Sequence, residues 1–205
     1  MALDVSQYTH SMARQEDAPS LARIDSFAAV LGENLRTSTA DEIAITSHSY
    51  GSVFAAATIA KVLRQDPNVL DGRTLTVTAI ASNMLKIGLM DECQWLRDDL
   101  KLVLGHEDIQ WIEVYGSNDV LCFSKSGPAD LIDIEPANPV ISKRVRLSAM
   151  IDPKRYKSMR GKLFRLHRQF IMANQRRYFF DFYLLLFGPQ SVTDMLRRDN
   201  ATKPR

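Results

Sequence analysis

The chain has only two cysteines, Cys93 and Cys122, too few for a disulfide framework. Both lie among apolar neighbours and are expected to be buried free thiols, which makes the reducing cytoplasm the expected compartment. No basic stretch followed by an apolar one opens the sequence, so no secretory signal is expected. No apolar run is long enough to span a bilayer: the longest, Tyr178 to Phe187, is interrupted by Asp181. Charge of neither sign dominates. With 26 Lys and Arg against 24 Asp and Glu, the net charge of +2 gives no global electrostatic case for nucleic acid. There is no His-x-x-x-His, no Cys pair and no tight carboxylate cluster, so no metal is expected. Glycine-rich phosphate loops are absent too, and no cofactor is expected.

What remains is an ordinary globular composition, 45% hydrophobic and 24% charged over 205 residues, suited to one domain with a real core. Residues 1–18 are polar and unpatterned and read as a poorly packed leader, 19–192 as the domain, and 193–205 as a charged tail. Leu21 to Leu35 has helical spacing, with Ser20 as its cap or Asp25 opening its later half. Strands are expected at Ile43–Thr46, Thr74–Ala81, Ile109–Tyr115 and Val145–Met150. Helices are expected at Ser52–Leu63, Cys93–Leu104, Leu163–Asn174 and Arg177–Phe187. Strands alternating with helices imply an α/β fold with a parallel sheet covered on both faces.

One stretch carries more information than the rest. The apolar strand Ile43–Thr46 runs into Ser47-His48-Ser49-Tyr50-Gly51, and an Ala-rich helix follows. That is the strand–turn–helix layout of a serine nucleophile, with Ser47 in place of the first glycine of G-x-S-x-G. Ser49 stands at the tip, Ser47 and Gly51 keep the turn small, and the Tyr50 N–H at the helix start can meet a developing oxyanion. The plainer alternative makes Ser49 a helix N-cap.

A serine nucleophile needs a base, and the base needs an orienting acid. In open parallel sheets such groups gather at the carboxyl ends of the strands. Asp119 follows the third expected strand in Gly116-Ser117-Asn118-Asp119; the alternative is an Asp in an ordinary turn. Of four histidines, His10 lies in the leader, His48 adjoins Ser49 too closely to fold back on it, and His106 precedes the third strand at the wrong edge. His167 follows the fourth strand, giving the chain order Ser49, Asp119, His167; the alternative is a His on an amphipathic helix.

Together, Ser47 to Gly51, the Gly116 to Asp119 loop and the late His167 resemble the C-terminal part of an α/β-hydrolase, over roughly residues 20–190. The likeness is to the bacterial esterase- and lipase-like members. It implies a reduced α/β-hydrolase-like sheet of about four parallel strands flanked by helices on both faces. It also implies hydrolysis of a small-molecule carboxylic ester through an acyl-enzyme, with Ser49, His167 and Asp119 as catalytic triad and Tyr50 as oxyanion donor. The family's early strands, which supply a second oxyanion donor, have no counterpart before Ile43. A short form, or a piece of a longer protein, is therefore expected, and a catalytically inactive binding module is the alternative. The loop Ser124 to Pro139 is expected to shape or cover the pocket. The apolar run 178–187 is expected to be a helix buried on every side, by a homodimer or by a missing N-terminal segment.

Lys154 to Arg165 holds six basic residues and no acid, and Arg168, Arg176 and Arg177 follow. Such a segment can serve nucleic acid or a membrane surface. The expectation is instead a solvated face balanced by the acidic stretch Asp130 to Glu135.

Overall fold

In the computed structural model, the described residues are 2–40, 42–116, 119–123 and 126–197. They build an α/β fold: one sheet of four parallel strands in the order β1-β2-β3-β4, flanked by helices. The strands are β1 (Ile43–His48), β2 (Leu75–Ile80), β3 (Ile109–Gly116) and β4 (Ile141–Val145). Ile43 lies opposite Leu75, Leu75 opposite Ile109, and Ile112 opposite Ile141. β2 is buried along its whole length, as a strand covered on both faces must be.

Alternate strand residues feed two cores. Leu75, Val77, Ala79, Ile109 and Trp111 enter the first. It is closed by α1 (Ala2–Ala13), α2 (Ala18–Thr37), α3 (Gly51–Gln65), α4 (Met84–Gly88) and α5 (Gln94–Leu104). Ile80, Ile112, Val114 and Val145 enter the second. Its cover is a set of short pieces: α7 (Leu147–Met150), α8 (Pro153–Met159), α9 (Leu163–Arg168), a 3-10 turn (Gln169–Ile171), α10 (Phe182–Phe187) and α11 (Val192–Arg197). Among the described residues no helix is long and apolar enough to cross a membrane. Cys93 and Cys122 are free and buried.

Several expectations need correction. The leader does pack: α1 buries Met12 and Ala13, and the Trp95 indole N–H donates to the Ala13 carbonyl at 2.9 Å. α2 is capped by Asp17, whose carboxylate accepts from the Ser20 N–H. The fourth strand lies four residues earlier than its apolar residues suggested. It is an edge strand with Lys143 and Arg144 in it, a charge pattern that discourages further pairing; the apolar Leu147 and Met150 belong to α7 instead. α9 stops at Arg168. α10 begins only at Phe182, because Asp181 is its cap and accepts from the N–H groups of Tyr183 and Leu184 at 3.0 and 3.2 Å. Nor is α10 buried all round: Phe180 and Leu185 are inside, while Leu184 is 56% and Phe187 80% exposed. Within the 124–139 loop, α6 (Pro128–Ile132) packs on α4 and α5, with Ile132 in the first core. Ser117, Asn118, Ser124, Lys125 and the tail 198–205 lie outside the described residues.

Candidate active site

The carboxyl ends of the strands converge on the residues singled out above. Ser49 directly follows β1 and has φ +59°, a left-handed backbone that residues other than glycine seldom adopt. Strain of this kind costs on the order of 1–3 kcal/mol and persists only where neighbours enforce it. Here the Ser49 N–H donates to the Ile80 carbonyl at 2.9 Å. Its own carbonyl accepts from the Ser52 hydroxyl at 2.7 Å and from the N–H groups of Ser52 and Asn83 at 3.3 and 3.2 Å. Ser82 donates in turn to the Ser52 hydroxyl at 2.8 Å. The turn is thus tied to the end of β2.

Asn83 does more than anchor the backbone. Its side-chain amide donates to Ser49 Oγ at 2.8 Å, and its buried Oδ1 has no hydrogen-bond partner among the described residues. Tyr50, the N-cap of α3, has helical backbone angles, and its N–H stands at the helix start, where no intrahelical acceptor exists. The Tyr50 hydroxyl meets Thr9 at 3.1 Å and its ring meets Tyr8 edge-on, so α1 braces the turn. Ser47 is buried and donates to the Thr78 carbonyl at 3.3 Å. Gly51 departs from expectation: a Cβ there would meet nothing closer than Ser47 Cβ at 3.7 Å, an ordinary contact, so the turn does not require a glycine at that position.

Asp119 and His167 are brought together. Asp119 Oδ2 accepts from His167 Nδ1 at 2.6 Å, with both side chains almost wholly buried. Oδ1 takes the Leu121 N–H at 3.0 Å. Burial pushes the Asp119 carboxyl up, but the bonds from His167 and Leu121 outweigh it, and the group is held below the usual carboxylate range. Lys86 donates to the Leu121 carbonyl at 2.7 Å, fixing the same loop; burial lowers its pKa, and the Asp119 charge opposes that shift. An ionised Asp119 fixes the proton of neutral His167 on Nδ1 and leaves the lone pair on Nε2. Nε2 is buried and has no hydrogen-bond partner among the described residues.

Ser49 Oγ and His167 Nε2 are therefore not hydrogen-bonded to each other. The residue before Ser49 nonetheless touches His167: the His48 and His167 rings are 4.5 Å apart, and His48 Nε2 donates to the His167 carbonyl at 3.1 Å. Burial, then the neighbouring His167 ring, lowers the His48 pKa. His106 lies at the amino end of β3 and accepts the Asp108 N–H at 3.2 Å. Sequence reasoning did not find Asn83 or Lys86, and it set His48 aside as too close to Ser49. Only the position of Asn83, just after a strand, offered a signal. Scans against protein-family models, curated proteins and solved structures found no match to this chain.

Proposed function

We propose that the protein is a serine hydrolase of α/β-hydrolase type that cleaves small carboxylic esters through an acyl-enzyme. The observation that carries this reading is His167, buried and oriented by Asp119, with a free Nε2 lone pair. It accompanies a serine held at a left-handed turn one residue beyond the strand end. The order of the parallel strands, with the three residues following β1, β3 and β4, adds support. The free buried thiols accord with a cytoplasmic setting.

In this mechanism Ser49 Oγ attacks the ester carbonyl carbon as its proton passes to His167 Nε2. Asp119 holds the imidazolium. The Tyr50 N–H and the Asn83 amide donate to the oxyanion, so Asn83 takes the place of the donor that early strands supply in the wider family. Collapse of the intermediate breaks the bond to the alcohol, which leaves with the proton from His167. Water, deprotonated by the same Nε2, then releases the acid. No cofactor takes part.

One observation favours a second reading. Ser49 Oγ engages Asn83 and makes no bond to His167, as in an inactive hydrolase-like binding module. A fluorophosphonate probe separates the two. Labelling of the full chain that disappears with Ser49→Ala supports the enzyme. Labelling that survives Ser49→Ala rejects Ser49 as the nucleophile, and absence of labelling in the unaltered protein supports the binding module.

A further inference from the structure

Between Asp152 and Asp181 the chain contains no acidic residue, yet nine of its 26 Lys and Arg fall there. The rest of the molecule, taken together, is therefore net negative, and this segment carries a concentrated excess of positive charge. Lys154, Arg155, Lys157, Arg160, Lys162, Arg165 and Arg168 are all exposed. None of these seven forms an ion pair among the described residues. Among the described residues no ion pair joins them to the acidic stretch 130–135.

Apolar side chains stand among these cations. Leu163 is 42% and Phe164 52% exposed, between Lys162 and Arg165, and Met172 is 47% exposed. The inner sides of α8 and α9 are anchored by Met159 and Leu166 in the second core, so the outward display is fixed by packing. A surface that joins unpaired cations to exposed aliphatic and aromatic groups matches the boundary between lipid headgroups and acyl chains. A nucleic acid would use the cations and could stack on Phe164, but it has no partner for Leu163 or Met172.

We propose that the strip from Lys154 to Arg168 docks the protein on an anionic lipid surface. The cations lie at the headgroups, and Leu163 and Phe164 enter the acyl boundary. His167 lies on the same helix as Leu163 and Phe164. On the hydrolase reading, on which this extension rests, the substrate class becomes esters carried in lipid.

The test is sedimentation of the full chain with phosphatidylserine–phosphatidylcholine vesicles, compared with phosphatidylcholine alone. Binding is expected only to the anionic vesicles and should weaken with salt. The triple change Lys157→Glu, Arg160→Glu and Lys162→Glu should lower it about 100-fold. Leu163→Ser with Phe164→Ser should lower it about tenfold. Both variants should keep wild-type cleavage of a soluble p-nitrophenyl ester. Equal binding to neutral vesicles, or no loss in either variant, overturns the proposal. So does tighter binding to a single-stranded oligonucleotide that the apolar variant leaves unchanged. If vesicles bind as expected but neither soluble nor vesicle-borne ester is cleaved, docking stands and the hydrolase reading falls. If soluble ester is cleaved but no vesicle binds, the reverse holds.

Discussion

Asn83 reaches Ser49 twice, through its backbone N–H and its side-chain amide. Removing the amide leaves the backbone bond in place. Asn83→Ala is therefore expected to lower kcat by about 100- to 1000-fold, the usual loss for one oxyanion donor. KM and the calorimetric midpoint should change little. A purely structural role would reverse that pattern. A second residue-scale prediction concerns Glu113, which is buried in β3 and takes the Trp111 indole N–H at 2.8 Å. Burial pushes its carboxyl up to about 8, only partly opposed by that bond. An unfolded Glu titrates near 4.3. Between those values the folded state keeps a proton that the unfolded state has released, so stability falls as pH rises. Glu113→Gln should flatten calorimetric midpoints measured across that window. Asp119 has the opposite sign: its pKa is lowered on folding. Its contribution is therefore present above the unfolded value of about 3.9 and lost as pH falls through the folded one. Ser49 and Asp119 could be picked out because each closely follows an apolar strand, and His167 by chain order once the other three histidines were set aside. Asn83 offered only its place just after β2, and the carbonyl that His48 reaches belongs to a residue 119 positions away.

Two glycines separate what a turn motif suggests from what packing demands. At Gly116, the end of β3, a Cβ would come within 2.7 Å of the ring of Phe170, which is fully buried and three residues from His167. Gly116→Ala should cost about 1–3 kcal/mol by overpacking, read as a lower urea midpoint. Gly51→Ala should be neutral or stabilising by about 0.5 kcal/mol, because alanine favours the helix it opens. The first three strands and helices α2, α3 and α5 were legible within a residue or three, because uninterrupted apolar runs and helical periodicity leave little freedom; α1, in the unpatterned leader, was not. The elements after β3 were not. β4 is a half-exposed edge strand, and apolar content is a poor guide to such strands. In the run 178–187 the one acid is a cap at the start of a six-residue helix, not a charge inside a longer one.

The whole molecule consists of two unequal layers on one sheet. The first is built from α2, α3 and α5, of 20, 15 and 11 residues. The second is built from helices of four to seven residues, far below the length at which a helix persists unaided. The second layer therefore depends on packing. Phe180→Ser, in its core, should cost about 3–5 kcal/mol or more. Phe187→Ser, on the exposed side of α10, should stay within about 0.5 kcal/mol; thermal melts by circular dichroism distinguish them. Ser49 belongs to the first layer's elements and His167 to the second's. The chain's two tryptophans, Trp95 and Trp111, both belong to the first core. Intrinsic emission therefore reports on the half that carries Ser49 and is nearly silent about the half that carries the base. If the thin layer opens in a sub-global step, esterase inactivation should precede the tryptophan spectral shift along a denaturant gradient, and unfolding followed by emission alone would overstate how long the site survives.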